Sequence, residues 1–106
     1  MIVTVFRSRL DPDHADEYEG LAEEIYGLGT SMPGFVSIKT FLAEDGERLT
    51  VVEFESEEAL DAWRRHPRHR EAQQLGRQRL YLEYSIQTCR ILREARFQRD
   101  PAGSAG

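Results

Sequence analysis

A short stretch of the chain carries the side chains best suited to chemistry: its only tryptophan, Trp63, and two of its three histidines, His66 and His69. A histidine titrates near neutral pH, so His69 can accept or relay a proton. The indole of Trp63 combines an N–H donor with an apolar body. His69 and Trp63 are therefore the candidate catalytic residues. The alternatives are core packing for Trp63 and a capping or interface role for His69.

The segment that holds Trp63 is predicted to be a helix that begins after Ser56. The Ser56 side chain can accept a hydrogen bond from the free amides of the first turn. Ala59, Leu60 and Trp63 lie at helical spacings, so they share one face, and we expect that face to point inward. Trp63 is therefore expected to line either the core or a pocket.

A break and a second helical segment are predicted at Pro67, because its ring removes an amide and pushes His66 out of helical geometry. His69, Ala72 and Gly76 fall on one side of this segment, so the histidine has space in front of it. His66 and His69 are three residues apart, as in some metal pairs. The break separates their faces and no third ligand is near in sequence, so no metal site is predicted.

Sequence motifs for other cofactors are absent: there is no Gly-rich phosphate loop, dinucleotide fingerprint or nucleophile elbow. We expect no bound cofactor, and a flavin, if used, would come from a separate reductase. The single cysteine, Cys89, excludes an internal disulfide and any CxxC site. It is expected to be inert packing in a reducing compartment.

The surrounding elements are predicted from strand-type residues, caps and turns. A first helix has Asp11 as its cap and Pro12 as its first residue, and it should stop by Gly29. A hairpin turn at 44–47 uses Gly46 for its positive φ. The predicted strands run from Ile2 to Leu10, Phe35 to Ala43, Arg48 to Glu55 and Leu80 to Leu92. This order predicts an α+β, ferredoxin-like βαββαβ fold with an antiparallel four-stranded sheet and two helices on one face.

Both faces of the predicted sheet are apolar. In the first strand, Ile2 and Phe6 oppose Val3 and Val5, and the other strands also place apolar residues on both sides. An apolar sheet face without helices normally acquires a second layer. We therefore predict a homodimer that packs sheet to sheet through the open face.

The chain has 106 residues, which fits one domain, predicted at 1–93, followed by a flexible tail at 94–106. Its net charge of −5 hides a division: residues 1–63 carry 4 basic and 15 acidic side chains, and residues 64–106 carry 10 and 4. A basic half can mark a nucleic-acid surface, with salt-sensitive retention on DNA. The arginines form no basic run with aromatic residues, so we expect no nucleic-acid partner and expect the charges to meet within the fold or across a dimer.

The start of the chain lacks the basic lead and long apolar stretch of a signal peptide. Nowhere are there enough consecutive apolar residues to span a bilayer. These features predict a cytoplasmic protein with no membrane partner.

Several short motifs together resemble the antibiotic biosynthesis monooxygenase family of dimeric α+β barrels. They are Met32-Pro33-Gly34-Phe35 before the second strand, the run from Phe54-Glu55-Ser56 to Ala59 and Trp63, then His69 and Ala72, and Tyr84 leading to Cys89. The likeness covers about Ile2 to Leu92. It implies a dimeric α/β barrel and a family that contains cofactor-free monooxygenases of phenols and quinols, haem-degrading enzymes, and members of unknown activity.

Oxygenation without metal or flavin needs a substrate that is itself easily oxidised. A deprotonated phenol or hydroquinone can pass an electron to O2, so the protein must supply an apolar pocket, a proton acceptor and donors that hold the anion. In this interpretation His69 takes or relays the proton and Trp63 donates a hydrogen bond. The candidate substrate-binding residues are Tyr18, Phe6, Tyr84 and His66, with Tyr81 as an alternative to Tyr84.

Two features depart from the characterised branches of the family. Ala59 stands where phenol-oxidising members have an asparagine, which removes a donor. Phe6 and Arg7 stand where haem-degrading members have an asparagine, and Gln73 replaces their iron-ligating histidine, so haem degradation is not expected. We predict a monooxygenase acting on a small electron-rich aromatic with O2. The alternative is a non-enzymatic dimer that binds a small apolar ligand or serves a stress response.

Overall fold

The computed structural model describes residues 1–100, which form one antiparallel four-stranded sheet with helices packed against it. The elements in chain order are β1 (Ile2–Leu10), α1 (Ala15–Thr30), β2 (Phe35–Leu42), β3 (Arg48–Phe54), α2 (Glu57–Arg64), α3 (Pro67–Leu75) and β4 (Tyr81–Arg90), with a 3-10 turn at Pro12–His14 and a π-helical turn at Gly76–Leu80. The strand order β2-β3-β1-β4 is that of a ferredoxin-like fold, which confirms the predicted class. The sheet of this chain is open and does not close into a barrel.

The strand register separates two faces of the sheet. In β1, Ile2, Thr4 and Phe6 lie on the inner face, which packs against the helices, and Val3 and Val5 lie on the outer face. The pairs continue this division across the sheet, because each residue shares its face with the residue directly opposite on β3 or β4. The inner face therefore positions the site described below.

The core of the described chain is small. Ile2, Phe54, Leu60 and Trp63 form one buried cluster between the inner face and α2. Leu80 is a further buried apolar residue. Most other apolar side chains are only partly covered, which leaves room for a cavity beside this cluster.

The local start and turn signals of the sequence are confirmed. The Asp11 carboxylate accepts a hydrogen bond from the Asp13 amide at 2.9 Å, and the Ser56 hydroxyl accepts one from the Ala59 amide at 3.1 Å. The helix breaks before Pro67, which begins α3. Gly46 has φ +90° in the hairpin turn. Each signal acts within a few residues, so the sequence alone could locate it.

Several predicted boundaries need correction. The first helix does not stop at Gly29 but continues to Thr30, and Ser31 caps it by donating its backbone N–H to the Leu28 carbonyl. The last strand ends at Arg90, not Leu92, because Arg90 pairs with Ile2, the first residue of β1, and beyond it β1 offers only Met1, whose carbonyl accepts a 3.3 Å hydrogen bond from the Ile91 amide. The expectation that Cys89 is packed inside is also wrong for this chain, since its side chain is exposed on the edge strand.

The acidic and basic halves of the chain meet within the fold. Arg68 pairs with Glu24 on α1, Arg79 pairs with Glu17, and Arg90 pairs with Glu57 on α2. These ion pairs tie the second half of the chain to the first helix and to α2. The acidic first half and the basic second half of the sequence thus largely correspond to elements that contact each other in the fold.

The segment after β4 has no helix or strand over residues 91–100, and its apolar side chains Leu92 and Phe97 are exposed. The predicted flexibility of the last residues, 101–106, lies outside the described residues. None of the helices in residues 1–100 has the length and apolar content needed to cross a bilayer.

Candidate functional site

A cavity of about 730 Å³ lies between the inner face of the sheet and the helices. Its floor includes Thr4 and Phe6 of β1, and its walls include Tyr18 of α1 and His69 of α3. Ile86 of β4 also lines it and is 55% exposed, so the cavity opens toward the β4 edge. Its size and largely apolar lining are those of a small-molecule site.

Trp63 and His69 form one wall of the cavity as a stacked pair. Their ring centroids are 4.0 Å apart and their planes differ by 12°. The opposite side of the indole packs on Gly29 of α1, where an added Cβ would lie 3.0 Å from the Trp63 ring. The indole is therefore held between α1 and α3, and it is 8% exposed. Trp63 belongs both to the core cluster and to the cavity wall.

The tautomer of His69 follows from its hydrogen bond. Nδ1 of His69 lies 3.1 Å from the backbone carbonyl oxygen of Trp63. A carbonyl oxygen can only accept, so Nδ1 carries the proton and Nε2 keeps a free lone pair. Burial lowers the pKa of His69 from its ordinary value, although the carbonyl contact opposes this shift. The ring is therefore neutral near pH 7, with one nitrogen available as a proton acceptor.

Four aromatic rings cluster at one end of the cavity. Phe6 lies 5.5 Å from Tyr81 and 5.4 Å from Tyr84, and Tyr18 lies 6.0 Å from Tyr81, all measured between ring centroids. Burial, with Tyr18 as the second cause, raises the pKa of Tyr81 above its ordinary value. Its hydroxyl thus stays protonated and can donate a hydrogen bond. Gly76 leaves room for the Tyr81 ring, because a Cβ added at Gly76 would lie 2.8 Å from that ring.

The floor of the cavity holds a buried hydroxyl without a partner. Thr4 is 7% exposed, and its Oγ1 makes no hydrogen bond within the described chain. A buried polar atom left unpaired typically costs about 1–3 kcal/mol. Oγ1 has almost no surface that a molecule in the cavity could touch, so the unpaired hydroxyl is a cost to the stability of the fold.

His66 occupies a different position from the other candidates. Its Nδ1 accepts a hydrogen bond from the backbone amide of Arg68 at 3.2 Å, which caps α3. Its ring lies 5.7 Å from that of Trp63, but His66 is not among the residues that line the cavity. Within residues 1–100, no group of three His, Cys, Asp or Glu side chains could hold a metal ion.

The structure thus brings five of the six candidate residues to one cavity: Trp63, His69, Tyr18, Phe6 and Tyr84. Gln73, which replaces a histidine of the haem-degrading branch, also lines the cavity. Sequence reasoning missed Thr4 and Gly29. A hydroxyl at an inward position of an apolar strand, and a glycine four residues after Ile25 on the apolar helix face, are the signals that could have found them.

The fold and the cavity define a class of small α+β proteins with a ligand-sized space between sheet and helices. The sequence model of the family Antibiotic biosynthesis monooxygenase matches residues 1–75, and the chain belongs to this family. YqjZ, an uncharacterized protein of Bacillus subtilis (strain 168), is 29% identical over 94 residues, which are 89% of this chain and 82% of that protein.

Solved structures show the same fold at low sequence identity. A crystal structure from Deinococcus radiodurans superposes with a TM-score of 0.80 at 12% identity, covering 93% of this chain and 100% of that chain. SnoaB from Streptomyces nogalater, described as a cofactor-independent oxygenase, superposes with a TM-score of 0.74 at 14% identity, covering 88% and 94%. At such identities these likenesses show the fold alone.

Proposed function

We propose that this protein is a monooxygenase that oxidises a small electron-rich aromatic, such as a phenol or quinol, with O2 and without a bound metal or flavin. The observation that carries the proposal is the neutral His69, whose protonated Nδ1 is fixed on the Trp63 carbonyl and whose Nε2 is free at the cavity wall. Family membership and the likeness to SnoaB support it.

The residues of the cavity have distinct roles in this proposal. Nε2 of His69 accepts the phenolic proton, and the buried Tyr81 hydroxyl and the Trp63 indole offer donors to the anion that forms. Phe6, Tyr18 and the stacked rings enclose the aromatic body.

The reaction balances with one molecule of O2. The deprotonated phenol gives one electron to O2, and the resulting radical and superoxide combine to form a C–O bond at a ring carbon. Protonation of the peroxide, from the imidazolium of His69, precedes cleavage of the O–O bond. The ring carbon loses its hydrogen as a proton, a quinone carbonyl forms, and the second oxygen atom leaves as water.

The test is oxygen uptake by the purified protein with a panel of hydroquinones and polyphenols. The His69→Ala variant should lose activity by about a hundredfold or more, because it removes the proton acceptor. His14→Ala is the matched control, since His14 does not line the cavity. If no member of the panel gives protein-dependent uptake, or if His69→Ala retains full activity, the enzyme proposal fails.

One observation favours the second candidate function, binding of a small apolar ligand without turnover. Ala59 replaces the asparagine of phenol-oxidising members, and its Cβ faces Gly34 instead of a substrate. Under this alternative, hydroquinones should quench Trp63 fluorescence, so that binding is seen, while oxygen uptake stays at the background rate.

We also propose that the working form is a homodimer in the cytoplasm, formed through the outer face of the sheet. Val3, Val5 and Val51 are adjacent on that face, and Phe41, at its β2 side, is 47% exposed. The small core of one chain leaves much of its apolar surface to be covered by a second copy. Two open sheets packed in this way would give the barrel that the family resemblance implies.

The dimer is tested by light scattering and sedimentation at micromolar concentration. Val51→Lys places a charge in the middle of the outer face and should yield a less stable monomer. Glu44→Lys, in the hairpin turn away from that strip, is the control and should leave the mass unchanged. A wild-type chain that is monomeric at these concentrations contradicts the dimer.

A further inference from the structure

Positively charged side chains outnumber negatively charged ones around the mouth of the cavity. The charged side chains of its lining are Asp61, Arg64, Arg65, Arg70 and Arg77, apart from the neutral His69. Arg64 lies 3.5 Å from Asp61, so these two compensate each other. Arg65 and Arg70 make no ion pair within the described chain, and Arg77 contacts only the neutral Tyr84 hydroxyl at 3.4 Å.

Most arginines elsewhere in the fold are paired with carboxylates, although Arg48 and Arg93 have no ion pair within the described chain. Away from the cavity, carboxylates pair with six arginines of the described chain: Arg7, Arg9, Arg68, Arg79, Arg90 and Arg96. The mouth of the cavity thus keeps three positive charges without a protein counter-charge. Such a set raises the local concentration of anions and favours an anionic occupant.

The helical spacing places these charges along the opening. Arg70, Gln73 and Arg77 are three and four residues apart, so they form a polar stripe along α3 and into the π-helical turn. This stripe lies beside the inward stripe of His69, Ala72 and Gly76. The contact between Arg77 and Tyr84 joins the stripe to β4, on the side where the cavity is open.

We propose that the ligand of this cavity is an aromatic anion that carries a carboxylate or sulfonate group in addition to its ring. The ring lies against the stacked Trp63 and His69, and the anionic group reaches the mouth, where Arg70 and Arg77 bind it. A guanidinium group binds such planar or forked oxygen pairs with two parallel hydrogen bonds. This inference deepens the proposed function and rests on the cavity being the ligand site.

The test compares two fluorescent compounds with the same anilinonaphthalene body: 8-anilinonaphthalene-1-sulfonate, which is anionic, and N-phenyl-1-naphthylamine, which is neutral. Trp63 is the only tryptophan, so energy transfer from it reports a compound bound to this chain, and the variants below test whether that compound lies at the cavity. The anion should bind about three- to tenfold more tightly, because exposed charges contribute modestly. The preference should shrink as NaCl is added.

Two variants locate the preference. The Arg70→Gln and Arg77→Gln double variant should bind both compounds equally, with the affinity for the neutral compound unchanged. Arg93→Gln, an exposed arginine outside the cavity, is the matched control and should keep the wild-type preference. Circular dichroism checks that the variants are folded, which surface Arg→Gln changes should not disturb.

The possible failures can be told apart. Equal affinities in the wild type, or a preference that survives in the double variant, overturn the anion proposal and leave the cavity as a ligand site. If neither compound gives energy transfer from Trp63, the cavity does not take an anilinonaphthalene and this inference fails, whereas the proposed function is decided separately by the oxygen-uptake test.

Discussion

The indole of Trp63 and the imidazole of His69 lie parallel at a centroid distance of 4.0 Å, and the carbonyl of Trp63 accepts the hydrogen bond of the same imidazole. The two contacts come from different parts of one residue, its side chain and its backbone. Together they fix both the plane and the rotation of the His69 ring. The break before Pro67 makes this possible, because it turns α3 back toward the end of α2.

Stability should depend on pH through His69. Burial lowers the pKa of this residue in the folded protein below its value of 6.5 in an unfolded chain. Between those two values the unfolded chain binds more protons, so the free energy of unfolding falls as the pH is lowered through about 6.5 and stops falling below the folded-state pKa. Urea titrations between about pH 7.5 and pH 5 measure this loss.

The control for this prediction is His69→Gln, which cannot titrate in this range. It should reduce the slope of stability against pH over this interval, because it removes a group whose pKa differs between the folded and the unfolded chain. An identical slope in the variant and the wild type would show that His69 is not the titrating group.

The close contact between Gly29 and Trp63 predicts opposite effects for two glycines of α1. Nothing lies within 4 Å of a Cβ added at Gly27, so Gly27→Ala should raise the free energy of unfolding by about 0.5–1 kcal/mol, the usual helix gain. A Cβ at Gly29 would lie 3.0 Å from the indole, which His69 holds from the other side. Gly29→Ala should therefore lose that gain and destabilise the protein by about 1 kcal/mol or more.

Trp63 emission provides a second measurement on the same pair. A displaced indole should shift its emission in Gly29→Ala, and Gly27→Ala should leave the spectrum unchanged. If both alanines stabilised the protein equally and neither changed the spectrum, the Trp63 indole would be able to move away from Gly29 without a loss of stability.

The fold could be predicted because its signals are local or periodic. Ser56 caps a helix, Pro67 breaks one and Gly46 turns a hairpin, whatever the rest of the chain does. The inward placement of Trp63 also followed from spacing alone, and the structure buries it.

The details of the site depend on contacts between distant segments. Gly29 leaves space for an indole 34 residues away in sequence, and no local pattern indicates that contact. The missing partner of Thr4 can be recognised only when all its neighbours are known. His66 caps α3 through a local turn. Its spacing from His69 is equally compatible with a place in the site, so the sequence could not decide between the two roles.

The motif around Gly34 predicts a strong effect of a single methyl group. Gly34 has φ +84°, and an added Cβ would lie 2.5 Å from Cβ of Ala59 on α2. Its carbonyl also accepts the Glu55 amide at 2.8 Å, so the turn cannot move away freely. Gly34→Ala should destabilise the protein by about 3 kcal/mol or more, since backbone strain and a clash add.

Gly46→Ala separates these two contributions. Gly46 has φ +90°, but the nearest atom to an added Cβ is the Arg9 Nη1 at 3.9 Å. Its cost should be the backbone strain alone, about 1–2 kcal/mol. Thermal unfolding of both variants measures the difference between their losses of stability. Equal losses would show that α2 can move away from an alanine at position 34.

The unpaired hydroxyl of Thr4 leads to a prediction in which stability is kept or raised and ligand binding does not change. Thr4→Val keeps the shape of the side chain and removes a buried hydroxyl that has no partner within the described chain. The free energy of unfolding should stay the same or rise by up to about 1 kcal/mol. The affinity for a hydroquinone, measured by Trp63 quenching, should stay within about twofold of the wild type, because the Thr4 Oγ1 has almost no surface that a ligand could touch.

Thr50→Val is the matched change on the neighbouring strand. The Thr50 hydroxyl lies 2.9 Å from that of Thr40, so this variant loses an existing hydrogen bond and should be less stable than the wild type by about 0.5–1.5 kcal/mol. If Thr4→Val destabilised the protein to the same degree, the hydroxyl would already have a partner, such as a bound water. In that case it would support the fold.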